Sequence, residues 1–254
     1  MICLTLFCVP PVMASEESRV EPDRPDLSNG TTTVPRGAFQ IEGGLEYART
    51  RVESEAERRF ALQTTLRAGL TDRLELRLDG EPWVRLRGEE DDTDHGDLTI
   101  GLKHRLLDSQ NERGWPSFGL LPFVKIPLAD APIGSERFDF GVVGLAGLEL
   151  PWQLGLDLNA GLALVGQSKP NGYLVQGMVS ASVSREITEQ TLAFVEIFFI
   201  SREQRDKKET VGLDTGIVYL LTKRIALDAA AEVSHAGRGV SFAFRTGMSM
   251  RFGQ

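Results

Sequence analysis

The end of the chain restricts the fold more than any other stretch. Val240, Phe242, Phe244, Thr246, Met248, Met250 and Phe252 alternate without a break with Ser241, Ala243, Arg245, Gly247, Ser249 and Arg251. Successive side chains of an extended strand point to opposite faces, so this segment carries one apolar and one polar face along its whole length. The same period of two runs through Phe39–Tyr47, Trp152–Leu164 and Ile225–Val233. Alternation alone also suits the half-buried sheet of a soluble sandwich. Length separates the two cases: these segments reach nine or more residues, enough to cross a bilayer at a tilt, whereas ordinary strands average roughly five or six. Their polar faces, built from Gly, Ala, Ser and charges, suit the inside of a transmembrane barrel.

Composition removes the main alternative. Hydrophobic residues make up 41% of the chain and no run of 18 apolar residues occurs. The most apolar internal stretch, Leu192–Ile200, holds Glu196 at its centre. A membrane protein without such runs must satisfy its backbone as a closed barrel. Further strands are expected at about 59–70, 74–84, 97–107, 117–127, 138–150, 173–185, 191–201 and 210–221, giving twelve in all. The fold class is therefore all-β: a single antiparallel transmembrane β-barrel whose even strand count places both termini on the periplasmic side. Tight turns are expected at Thr71–Arg73, Pro151, Ile187–Glu189 and Thr222–Arg224. Longer polar loops are expected at 49–57, 85–95, 128–137, 166–172 and 202–209. Two connections break this asymmetry, 108–116 by being long and 235–239 by being short. Phe39, Trp152, Tyr219 and Phe252 are expected at strand ends on the apolar face, as a sparse interfacial girdle.

Residues 1–14 read as a cleaved signal peptide, with small residues before the expected cut behind Ala14 but without the usual basic start. Both cysteines, Cys3 and Cys8, lie within it, so the mature chain has none, which agrees with passage through an oxidising periplasm. Residues 15–36 are polar, Pro-punctuated and aperiodic. They read as a periplasmic strap, a partial filling of the lumen, or a flexible segment. Residues 37–254 form the barrel.

The polar faces turn Glu42, Glu46, Arg67, Glu75, Arg77, Asp79, Lys103, Arg105, Lys125, Asp157, Glu196, Asp214, Asp228, Glu232, Arg245 and Arg251 towards the lumen. Two readings stay open for them: charges that set the selectivity of a pore, or a structural ion-pair network filling a narrow barrel. Their mixed signs favour neither cations nor anions. The acidic run Glu89–His95 lacks the glycine and terminal glutamate of a helix-loop-helix calcium site and reads as a solvated loop. Ser234 and His235 are strand neighbours and face opposite ways, and His104 falls on the apolar face, so no catalytic triad is visible. No metal set or cofactor motif appears. A net charge of −8 without a basic stripe excludes a nucleic-acid partner. The expected partners are outer-membrane lipid and the barrel assembly machinery, with Phe252, near the end of the last strand, as assembly signal. The facing assignment implies that Leu158→Arg harms insertion and that Asn159→Arg is tolerated.

Arg24-Pro25-Asp26, Thr33–Gly37 with the strand that follows, Gly69–Arg77, Gly96–Lys103 and Phe123–Pro127 resemble segments of the putative MetA-pathway of phenol degradation family. The resemblance runs from about residue 20 to the C-terminus. It implies an outer-membrane channel for passive uptake of small solutes, among them small aromatic compounds, and it implies no catalytic residues. A non-conducting structural or assembly barrel and a lipid-modifying enzyme are the alternatives from other functional classes.

Overall fold

The computed structural model describes residues 19–253 except 53–54, 89–90, 110–114, 168–169 and 206. The expected signal peptide, both cysteines, and Glu89 and Glu90 of the acidic run lie outside the described residues.

The strands are β1 (Phe39–Val52), β2 (Glu55–Thr71), β3 (Leu74–Arg87), β4 (Asp92–Asp94), β5 (Leu98–Leu107), β6 (Ser117–Ile126) and β7 (Asp139–Leu150). They continue as β8 (Leu154–Gln167), β9 (Gly172–Thr188), β10 (Thr191–Ile200), β11 (Thr210–Thr222), β12 (Ile225–Ala236) and β13 (Gly239–Phe252). Every pairing is antiparallel, and the ring closes where β1 meets β13 from Phe39↔Phe252 to Val52↔Gly239. Strand β4 pairs only with the far end of β3, on the register line that β5 follows: Val84↔Asp94 continues Gly80↔Leu98. The two are one wall strand, interrupted opposite Pro82. Proline has no N–H to give the ladder there, and the Gly96 amide bonds instead to the Glu81 carbonyl at 2.7 Å. The wall thus holds twelve strands, and closure leaves no edge to aggregate.

Three of the expected loops are shorter than the sequence suggests. Strands β1 and β2 pair as far as Val52↔Glu55, β3 extends to Arg87, and β8 and β9 pair as far as Gln167↔Gly172. Residues such as Arg49, Thr50, Arg58 and Arg87 stand above the apolar belt, where both faces are wet. The ladder continues there while the apolar alternation stops. Trp152 is also displaced from its expected strand. It lies in a single helical turn, Pro151–Gln153, with φ 64°, and is 80% exposed, so β8 begins at Leu154.

The outer surface is apolar. Leu158, Leu162, Val175, Val179, Ile197, Phe242 and Phe244 all stand exposed on it. A belt this size on a monomer marks contact with lipid. Phe39 and Phe252 close the seam with ring centroids 6.4 Å apart.

Candidate functional site

The interior is occupied by the chain's own N-terminal segment. Residues 19–38 enter beside the β11–β12 turn, where the Val20 amide donates to the Lys223 carbonyl at 2.8 Å. They then circle the lumen from the turns to about mid-height. Asp23 faces β1–β3 and β5, its amide donating to the Glu42 carboxylate at 3.1 Å and its carboxylate meeting Arg67, Arg77 and Lys103. Arg24, one residue on, turns to Asp228 on β12 at 3.2 Å and to Gln63 on β2 at 3.1 Å. Its guanidinium lies flat on the wall over Gly44 and Gly247, where a Cβ would come within 2.2 and 2.7 Å of it. The amides of Leu27 and Ser28 donate to Glu196 at 2.8 and 2.7 Å. Asn29 and Asn159 exchange two hydrogen bonds, Thr31 pairs with Ser117, and the Val34 amide reaches Glu75 at 2.7 Å. The strap is extended and aperiodic because its polar backbone bonds to lumen side chains, and so satisfies its buried amides without a ladder.

Electrostatics hold the strap in place. Burial works against a charge on Asp23, but Arg67, Lys103 and Arg77 outweigh it and bring its carboxyl down to about 2. Asp26 is the reverse case: burial, and then the neighbouring Glu196 carboxylate, push it well above the usual carboxylate range, although the Ser182 hydroxyl donates to it at 2.9 Å.

Most of the expected lumen residues join this network. Arg67 bridges Glu42 at 2.8 Å and Glu75 at 2.7 Å, and all three are at most 2% exposed. Arg77 binds Asp79 at 2.8 Å as well as Asp23. Arg245 gathers Glu46 and Asp214, each at 3.0 Å, together with Glu232. Asp228 and Glu196 hold the strap, and Lys103 lies buried against Asp23. Arg251 donates to the Arg19 carbonyl at 3.0 Å. Two residues stand apart: Arg105 sits at the turns with Asp72 and Asp108, and Lys125 sits at the opposite mouth between Asp97 and Asp139. Asp157 lines the turn-side cavity. Phe252 points outward at the seam, 46% exposed.

Several participants escaped the sequence reading. Asp23 and Arg24 lie in an aperiodic stretch, where no rule assigns a face. Arg59, bound to Glu46 at 2.7 Å and to Glu81, sits where β2 was expected only to begin. The interior also has an apolar wall. Leu121, Val143 and Leu145 pack inward with Phe123 and Met178, and Phe194 and Phe198 flank Glu196 on the inner face of β10. Their rings lie against glycines of the next strand. A Cβ at Gly141 would meet Phe123 at 2.4 Å, one at Gly212 would meet Phe198 at 2.1 Å, and one at Gly216 would meet Phe194 at 2.7 Å. The sequence signal was available, since Phe194 and Phe198 share the parity of Glu196, but the strand is apolar on both faces and reads as uniform.

At the mouth opposite the turns, residues 127–138 fold inward. Ile133 packs on Ala61, Val84 and Leu86, which face the lumen. Asp97 anchors this loop, accepting from the amides of Leu128, Ala129 and Ser135 at 3.1, 3.2 and 3.0 Å and from the Ser135 hydroxyl at 2.9 Å. Partial burial opposes the Asp97 charge, but these donors and Lys125 hold its carboxyl below the usual range.

Two cavities border the strap. One of about 500 Å³ opens at the turns and is bordered by the strap, Asp157, Ser182, Glu186 and Phe194. The other, about 640 Å³, opens at the looped mouth and is bordered by Arg77, Glu81, Asp97, Phe198, Glu232 and Arg245. Asp23, Arg24 and Asp26 border both, so this short stretch of strap is the partition between them.

Solved structures share this architecture. An outer membrane channel from Pseudomonas putida F1 superposes with a TM-score of 0.72 at 14% identity, over 87% of this chain and 98% of that one. The beta domain of the Bordetella autotransporter BrkA gives 0.57 at 12% identity over 85% and 100% of the two chains. The NanC porin gives 0.55 at 10% identity over 82% and 98%. At these identities the likeness is one of fold, that of an outer-membrane β-barrel. A search of curated proteins gives no match. The model of one protein family matches residues 22–252, which span the strap as well as the barrel, and the chain therefore belongs to the family described as putative MetA-pathway of phenol degradation.

Proposed function

We propose that this protein is a passive channel of the outer membrane for small solutes, with its turns and termini in the periplasm and the strap setting the size limit. The observation that carries this reading is the pair of cavities that open at opposite ends and meet at Asp23–Asp26. A barrel serving only as a structural element has no need of two solvent-sized vestibules aligned on one partition. The lumen is two-sided, with charges on β1–β3 and β11–β13 and an apolar wall with Phe123, Phe194 and Phe198 on β6–β10. Such a lumen suits solutes with an apolar body and a polar group, and the family description agrees with small aromatic compounds. Pockets that bind organic solutes combine apolar walls with a few placed polar groups.

Planar-bilayer recording of the purified protein tests the channel. Reproducible single-channel steps are expected, and their absence would leave the structural-barrel reading standing. Liposome swelling with phenols, sugars and amino acids then ranks the solutes, with phenols expected to enter faster than sugars of similar mass.

A further inference from the structure

Three carboxylates stand side by side on the inner wall. Glu196 on β10 is the direct cross-strand partner of Asp214 on β11, and Asp214 is the partner of Glu232 on β12. Like charges directly opposite one another repel. Glu196 is 0% and Asp214 1% exposed, so water does little to relieve them. Among the described residues one base reaches the row: Arg245, which bonds Asp214 through Oδ2 and Glu232, and which also serves Glu46. Glu196 is held by strap amides rather than by a cation. Asp214 Oδ1 is buried with no hydrogen-bond partner.

The same imbalance recurs along the path. Arg59 lies between Glu46 and Glu81, and Lys125 lies between Asp97 and Asp139. Arg59, Lys125 and Arg245 are each shared by more than one acid, so the surplus field is negative along the row and in the looped vestibule. At Asp23, by contrast, three bases share one carboxylate. Low-dielectric walls focus such a field and concentrate counter-ions.

We propose that the lumen prefers cations to anions, taking monovalent inorganic cations and small organic ammonium solutes, with the Glu196–Asp214–Glu232 row as its selectivity determinant. This rests on the channel reading. Glu232 borders the looped vestibule beside Arg245, and the buried Glu196 and Asp214 act on that vestibule through their field rather than by contact with the ion. The acidic groups of the described residues do not converge into a set that would hold a metal ion. A site that gathers ions without trapping them is what conduction requires.

Reversal potentials of the full chain across a potassium chloride gradient at neutral pH test this. The expected potassium-to-chloride permeability ratio is roughly tenfold, the lower end of what focusing supplies. Asp214→Asn, which keeps the shape of the side chain, and Glu232→Gln should each lower the ratio severalfold while single-channel steps persist. Folding of each variant is checked by its heat-modifiable mobility in detergent gels. A wild-type ratio near or below one would overturn the proposal, as it would if the row were neutralised by bound protons. An unchanged ratio in both folded variants would overturn the assignment to this row. Complete absence of conductance would overturn the channel reading together with this one, whereas conductance without preference overturns only this one.

Discussion

Leu158 and Asn159 are neighbours in β8, yet the first is 39% exposed on the apolar surface and the second is 3% exposed beneath the strap. An arginine in place of Leu158 must enter lipid, at a cost of about 2–4 kcal/mol near the midplane. Leu158→Arg should therefore lose heat-modifiable folded protein in membranes. Asn159→Arg should insert normally, but it is not silent, because Asn159 exchanges hydrogen bonds of 2.8 and 3.0 Å with Asn29. The sequence alone makes this position a tolerant lumen site. The strap makes it a contact, and the larger side chain should displace Asn29 and enlarge the single-channel steps. A second residue-scale test concerns Gly212, where any Cβ meets the Phe198 ring. Gly212→Ala should cost about 1–3 kcal/mol through overpacking, read as a lower midpoint of denaturant unfolding. With the ring pushed off the wall, conductance should fall.

At the scale of elements, the strap and the inward loop are the two parts not fixed by strand pairing. Asp23 is the strap's main anchor, set among Arg67, Arg77 and Lys103. Removing one partner of a buried charge cluster costs about 3–5 kcal/mol. Asp23→Ala should free the strap from the wall while the barrel stays folded, so conductance should rise severalfold with unchanged heat-modifiability. The inward loop depends on Asp97. Its carboxyl is held below its ordinary value of 3.8, so the stabilisation it gives is complete above 3.8 and disappears as pH falls through the lower folded value. Amide exchange at Leu128, Ala129 and Ser135, corrected for intrinsic rates, should show constant protection from about pH 8 to about pH 5. That protection should be lost only in strong acid, and Asp97→Ala should abolish it at every pH. The strands were legible from sequence wherever one face is apolar and the other polar, as in β12 and β13. They were illegible where both faces are wet, as at Arg49–Val52, and at Trp152, where Pro151 turns the chain. Neither the strap's path nor the inward loop has a periodicity to read.

For the whole molecule, closure is the decisive event, and it happens between the two ends of the barrel sequence. The seam pairs β1 with β13 over their full lengths, and Phe252 stands opposite Phe39. Deleting Phe252–Gln254 should reduce the yield of inserted barrel before it alters the conductance of the molecules that do insert, as read by membrane fractionation followed by bilayer recording. The alternation of Val240–Phe252 determined the face that each residue presents, because a strand's two faces follow from parity alone. Strand length and the lack of an 18-residue apolar run then determined a membrane barrel. Charge signs along that parity likewise placed Glu42, Arg67, Glu75 and Arg245 inside. Only the tertiary structure decided that the lumen is divided by its own N-terminal segment, that aromatic rings lie against glycines of neighbouring strands, and that Glu196, Asp214 and Glu232 form one row. The first joins segments far apart in sequence, and the other two depend on the register between successive strands, which parity does not give. The strap's path is fixed by its hydrogen bonds to the lumen and the hairpin registers by their turns and ladders, and neither leaves a periodic mark on the chain.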